Sequence, residues 1–249
     1  MPDVRRKGRP VRILKTLLLL ALSGFGAILL YGYGRNHPED LPWTKLDLAR
    51  PVGTFTGRKL AQLSGNGKQC QALLGRAGVK YTALPPRSGA GQCGYRGAVR
   101  FTRGGAIDIG YRPADLGTSC PVAAGLALWE WNVVQPAALA RLGRKVAAIE
   151  HYGSYSCRRM YGRSQGNWSE HSTANAIDIA AFRLDDGSRI SVVGDWKGTD
   201  EEARFLHDVR DGACRLFATV LSPDYNAAHR DHLHLDQAGR GAFGWRACR

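Results

Sequence analysis

Ser169-Glu170-His171-Ser172-Thr173-Ala174-Asn175-Ala176-Ile177-Asp178-Ile179 and His229-Arg230-Asp231-His232-Leu233-His234-Leu235-Asp236 decide how this chain is read. Each stretch ends in an alternation of aliphatic and polar residues. Successive side chains of a strand point to opposite faces. Ile177 and Ile179 then share one face and Asp178 takes the other. Leu233 and Leu235 share one face, and His232, His234 and Asp236 the opposite one. The aliphatic faces can enter a core while the polar faces line a cleft. If the two strands are neighbours, Asp178 and His234 lie on one surface, and His171 reaches it from the loop before its strand. Two imidazoles and a carboxylate suffice to hold zinc and leave a position for water. The competing reading is a polar strand face bonded to water. The same alternation in two separate strands weakens it.

The rest of the chain sets the surroundings of such a site. It has 249 residues, 44% of them apolar, enough to bury a substantial core. Strand and helix signals mix without regular alternation, which predicts an α+β fold with a small antiparallel sheet and flanking helices. The formal net charge is +14. Arg5, Arg6, Lys7, Arg9, Arg12 and Lys15 crowd the start against Asp3, and the other arginines are scattered. No arginine-rich helix and no aromatic–basic interleaving occurs, so no nucleic-acid partner is expected. A polyanionic envelope or an anionic membrane surface accounts for the excess.

Residues 1–15 read as a basic tail and 16–33, TLLLLALSGFGAILLYGY, as a transmembrane anchor. The basic flank predicts a single pass through the inner membrane, with a cytoplasmic N-terminus and a periplasmic body. A cleaved signal peptide is the alternative, but LLYGYGRNHPED lacks the usual small-residue cleavage site. Residues 34–55, with Pro38, Pro42 and Pro51, read as a linker. Residues 56–118 form a small cysteine-bearing part and 119–249 the main domain.

Cys70, Cys93, Cys120, Cys157, Cys214 and Cys248 include no C-x-x-C pair, and an even number in an exported chain predicts disulfides. The expected pairs are Cys70–Cys93, Cys120–Cys157 and Cys214–Cys248. Sequence nearness motivates only the first. A short helix is expected near Cys70–Gly75, and a turn at Leu84-Pro85-Pro86. A helix over 121–142 should break or kink at Pro136. A strand is expected over 145–152, and a polar loop over 155–168. A helix capped by Thr199, with Glu202 at N3, should follow. Ala106-Ile107-Asp108-Ile109 repeats Ala176-Ile177-Asp178-Ile179, but Phe101 stands where a second His171 would be. Asp108 therefore reads as a structural or surface strand residue. His37 and His207 read as surface or hydrogen-bonded residues, and His151 is ambiguous.

The S-x-H-x6-D pattern with a distant H-x-H resembles zinc peptidases that cleave peptidoglycan cross-links and stem peptides. That group includes D-Ala-D-Ala carboxypeptidases and murein endopeptidases, and hedgehog-type domains share its fold. The stretch from Cys120 to Cys248 resembles more closely the bacterial extensin-like C-terminal domain family. It does so through Gly153-Ser154-Tyr155-Ser156-Cys157-Arg158, Ser169-Glu170-His171, Asn175-Ala176-Ile177-Asp178, Val220-Leu221-Ser222-Pro223-Asp224-Tyr225-Asn226 and Asp231-His232-Leu233-His234-Leu235-Asp236.

The wider resemblance implies zinc held by His171, Asp178 and His234. It implies His232 as base or hydrogen-bond partner, His229 as a further active-site histidine, and Arg158 on a substrate carboxylate or developing oxyanion. Asp231 and Asp236 could orient imidazoles. Glu170 is the rival base. The implied function is zinc-dependent hydrolysis of a peptidoglycan amide. A non-catalytic zinc-containing cell-wall binding protein is the alternative. Those peptidases usually carry Gly where this chain has Ala174, which would strain a turn that needs positive φ.

Overall fold

The computed structural model describes residues 8–102, 109–241 and 245–249. The expectation for Asp108 lies outside these residues. The chain opens with α1 (Gly8–Asn36), α2 (Thr56–Ala61) and α3 (Gly67–Arg76). Six short strands follow: β1 (Tyr81–Ala83), β2 (Arg87–Ser88), β3 (Gly94–Tyr95), β4 (Val99–Phe101), β5 (Gly110–Arg112) and β6 (Gly117–Thr118). Then come α4 (Cys120–Trp129), α5 (Gln135–Leu142), β7 (Val146–His151), β8 (Ala176–Leu184), β9 (Arg189–Ser191), α6 (Val192–Asp195) and α7 (Glu201–Ala213). β10 (Thr219–Leu221), β11 (Leu233–Asp236) and β12 (Ala247–Cys248) complete the described chain.

α1 extends past the 16–33 run at both ends. Its Val11–Asn36 part is long and apolar enough to cross a membrane, and a signal sequence has the same features. At 1.5 Å per residue it spans about 39 Å, more than a hydrocarbon core of about 30 Å. Residues 34–55 are tied to the body at several points. Leu48 is buried in the core. Lys59 Nζ donates to the Pro38 carbonyl (3.2 Å) and Thr44 Oγ1 (2.8 Å), and Arg215 Nη2 to the Val52 carbonyl (3.0 Å). Within the segment, Asp40 accepts from Thr54 N (2.7 Å) and Oγ1 (2.9 Å), and it also accepts from Tyr33 Oη (2.8 Å) at the end of α1.

The fold is mixed α+β. The central sheet runs β12-β10-β11-β8-β7-β5, and β9 pairs with β8 beside β11. The antiparallel expectation holds at its centre and fails at both ends, where β5–β7 and β10–β12 are parallel. A crossover makes each parallel pair possible, the first through α4 and α5. β1, β4 and β6 form a separate antiparallel sheet, and β2–β3 a hairpin.

One hydrophobic core joins the early and late parts of the chain, from Leu60, Leu74 and Val99 through Leu126 to Phe217 and Leu235. α4 lies within it. All ten of its residues are buried, as an all-apolar helix requires. The helix widens to π geometry at Glu130–Val134 and resumes in α5, where Pro136 sits in the first turn. Proline has no N–H to give, and its ring crowds the preceding turn, so the helix bulges there instead of ending. Residues 84–86 carry no assigned turn, and a 3-10 turn at Met160–Gly162 interrupts the 155–168 loop.

Two local expectations are corrected. α7 is capped by Asp200, whose carboxylate accepts from Ala203 N at 3.0 Å, rather than by Thr199. A carboxylate also gains from the helix dipole, which a hydroxyl does not. The disulfides are Cys70–Cys120, Cys93–Cys157 and Cys214–Cys248, so only the last expected pair is present. α3 packs against α4 and brings Cys70 to Cys120. Cys93, next to the β2–β3 hairpin, is then free to hold Cys157.

Candidate metal centre

β8 and β11 are antiparallel neighbours, in a register that sets Asp178 opposite His234. Ile177, Ile179, Leu233 and Leu235 are buried in the core, as the alternation predicts. His171 comes from the 3-10 turn Glu170–Thr173, whose entry is capped by Ser169 Oγ accepting from His171 N at 3.3 Å. The three side chains each offer a ligand atom, all within 4.8 Å of one another, and so could hold a metal ion.

The hydrogen bonds fix which ring nitrogens face inward. His171 Nδ1 lies 2.8 Å from the Ser154 carbonyl oxygen, which can only accept, so Nδ1 carries the proton. Nε2 is left with its lone pair, 3.2 Å from both Asp178 Oδ1 and His234 Nδ1. His234 Nδ1 is 2.9 Å from Asp178 Oδ1, and its Nε2 is 3.3 Å from Asp236 Oδ2. Ligand atoms around a tetrahedral zinc stand about 3.3 Å apart. The donor set therefore fits that ion in type and spacing. Asp236 holds the outer nitrogen of one imidazole and Ser154 that of the other, the usual orienting arrangement.

Electrostatics follow from these contacts. Burial works to raise the Asp178 pKa, but the bonds and charges of His171 and His234 outweigh it and hold the carboxyl far below its ordinary value. Burial likewise opposes charge on His234, yet Asp178 and Asp236 raise its pKa to about 9. Burial lowers that of His229 to about 4, helped by the charges of His232 and His234. His229 is thus neutral at pH 7, and Nδ1 faces Asn226 Oδ1 at 2.8 Å.

The structure brings the other expected residues to the same place. His232 Nδ1 is 2.9 Å from Asp231 Oδ1, and its Nε2 is 3.5 Å from Asp178 Oδ1. The Asp231 carboxylate accepts from Nδ1–H, which leaves Nε2 able to take a proton beside the cluster. The His229 ring lies tilted against that of His232, with ring centroids 5.2 Å apart. Arg158 lines the same cleft and has no ion-pair partner among the described residues. It follows Cys157, which the disulfide to Cys93 pins. Glu170 also lines the cleft. Burial raises its pKa, and Asn175 Nδ2 donates to Oε2 at 2.7 Å. The cleft has a volume of about 1250 Å³ and is walled by Tyr161, Trp168, Tyr225 and Arg240. His37 pairs with Glu39, His207 bonds the Trp196 carbonyl, and His151 bonds that of Pro113, all away from the cleft.

Two supporting residues, Ser154 and Asn175, carried no role in the sequence reading. Ser154 fixes His171 through its carbonyl. Asn175 Nδ2 also donates to the Gln237 carbonyl at 2.9 Å, and Asn175 Oδ1 accepts from Ser119 Oγ at 3.0 Å. It thereby joins the His171 turn to the end of β11 and the start of α4. Ala174 adopts left-handed φ of 55°, so the strain foreseen there is present. Its carbonyl accepts from Ser119 N (2.8 Å), Thr118 Oγ1 (3.1 Å) and Ser154 Oγ (3.0 Å). That net holds alanine in a conformation costing roughly 1–2 kcal/mol.

No curated protein and no solved structure matches the chain. The family model described as extensin-like protein C-terminus matches residues 68–249, which include most of the core and every residue of the cluster. The chain belongs to the extensin-like C-terminal family.

Proposed function

We propose that this protein is a zinc-dependent amide hydrolase acting on peptidoglycan peptides. We place it in the inner membrane through α1, with its body on the periplasmic side. The observation that carries the reading is the meeting of His171, Asp178 and His234 from three separate elements, with donor atoms within 4.8 Å. Three disulfides suit an oxidising compartment, and a net charge of +14 suits a polyanionic wall.

His171, Asp178 and His234 would hold zinc, which supplies a water of lowered pKa and polarises the scissile carbonyl. The chain's own groups do the rest. His232, aligned by Asp231, accepts the water proton at Nε2 and returns it to the leaving amine. Arg158 meets a substrate carboxylate or the charge that develops on the carbonyl oxygen. His229, neutral at pH 7, adds a hydrogen-bonding edge beside His232. The aromatic walls exclude water from an extended peptide.

The test is release of amines from purified peptidoglycan by the zinc-loaded protein. The expected result is release by the wild type, and none by His232→Ala with its zinc retained. Zinc present with no release from varied wall substrates would move the cleft to the binding reading. Protein without stoichiometric zinc, and indifferent to chelator, would remove both.

A further inference from the structure

The cleft continues into a second cavity of about 500 Å³. Ala238, Gly239, Arg240 and Trp245 line both, so Arg240 stands at their junction. Beyond it the wall carries Arg58 and Arg246, and no Asp or Glu lines this cavity among the described residues. None of the three arginines pairs with a carboxylate there. Arg240 donates to the carbonyls of Ala218 and Trp245 and to Thr219 Oγ1. Arg58 lies over the Phe55 ring at 5.5 Å. Arg246 Nη1 donates to the carbonyls of Cys214 and Arg215, while its Nη2 atom is buried with no acceptor among the described residues. Burial and the nearby charge of Arg58 both disfavour the Arg246 cation.

Arg58 and Arg240 are exposed and Arg246 is half-buried. The Arg246 Nη2 group, shielded from water and without an acceptor, gains from an anion in the cavity. A Cβ on Gly57 would meet Arg246 Nη2 at 1.1 Å and the Arg215 carbonyl oxygen at 2.7 Å, so α2 packs closely there against the backbone that also holds the guanidinium. Three guanidiniums around one space, with neutral and aromatic walls, match the oxygens of a phosphate group.

We propose that this cavity is a phosphate site, and that a phosphate-bearing ligand seated there reaches past Arg240 into the metal cleft. The place of the cavity bears on its source. Thr54 lines it and is held by Asp40, which also holds Tyr33 near the end of α1. If α1 lies in a membrane, phosphate groups of that surface are close at hand.

The experiment uses the full chain in a phosphate-free non-ionic detergent, titrated with inorganic phosphate by calorimetry at constant ionic strength. Saturable binding is expected, with chloride inert. Arg58→Gln, an exposed side chain without hydrogen bonds, should weaken phosphate about tenfold, as loss of one charge-assisted contact predicts. Arg246→Gln should do the same if it folds. Asp178→Ala should leave binding within about twofold, since the metal centre takes no part. The site thus stands or falls apart from hydrolysis. Adding phosphatidylglycerol distinguishes the sources: competition assigns a lipid headgroup, and unchanged affinity assigns a soluble phosphate compound. Absence of saturable binding, or binding indifferent to Arg58→Gln, overturns the proposal.

Discussion

Asp178 and His234 face each other across antiparallel strands, with Oδ1 and Nδ1 2.9 Å apart. Two residues 56 positions apart in sequence thereby become neighbours on one polar surface, and His171 closes the group from above. The pairing sets what each substitution around it should do.

Removal of the central carboxylate should abolish metal binding. Purified wild type is expected to carry about one zinc per chain, and Asp178→Ala almost none, by elemental analysis. Chelation should lower the Tm of the wild type and leave that of the variant in place. Equal metal content in the two proteins would contradict the assignment.

Asp231 should act through His232. Asp231→Asn keeps the shape but weakens the hold on Nδ1–H. A fall of about 10–100-fold in kcat is expected, with KM and zinc content unchanged. A structural role alone would instead change Tm or metal content.

The Cys93–Cys157 bond closes a separation of 64 residues and lies beside Arg158. Replacement of both cysteines by serine should destabilise the protein by about 2–4 kcal/mol in denaturant titration. Amide release should fall more than it does for the corresponding Cys214/Cys248 double variant, whose bond lies farther along the chain from Arg158. Equal losses would detach the bond from the cleft.

His151 gives a pH dependence. Burial holds its pKa below the ordinary 6.5, against the bond to the Pro113 carbonyl. The unfolded chain then takes up this proton at higher pH than the folded one. Stability from the neutral ring is complete above about pH 6.5 and is lost as pH falls through the folded-state value. In His151→Leu the slope of unfolding free energy below about pH 6.5 should be shallower than in the wild type. An unchanged slope would refute the assignment.

Ala174 tests strain. Ala174→Gly should lie within about 1 kcal/mol of the wild type, because relief at φ of 55° offsets the lost methyl. Ala174→Val should cost several kcal/mol, since a β-branched residue fits neither the left-handed backbone nor the closed space. Thermal unfolding measures both.

Much of this centre was legible in the chain because strand geometry is local. Alternation alone tells which of Ile177, Asp178, Leu233 and His234 go to the core and which to the cleft. The apolar run near the start and the disturbance of the helix at Pro136 are equally local, although the disturbance takes the form of a bulge and not a break. Two of the three cysteine pairs were not legible, because α3 reaches Cys120 only by packing on α4. Asp200 rather than Thr199 caps α7 because α7 begins one residue later than the sequence suggests, which puts the Asp200 carboxylate on Ala203 N.

Sequence by itself determined the two amphipathic strands, the donor types and the apolar first helix, since each rests on chemistry within a few residues. Tertiary structure decided the register that sets Asp178 against His234 and the turn that aims His171. It also gathered Arg58, Arg240 and Arg246 around one cavity. A one-residue slip between β8 and β11 would turn the same side chains away from each other. Only burial of the aliphatic faces in a common core fixes that register, and no single stretch of the chain contains it.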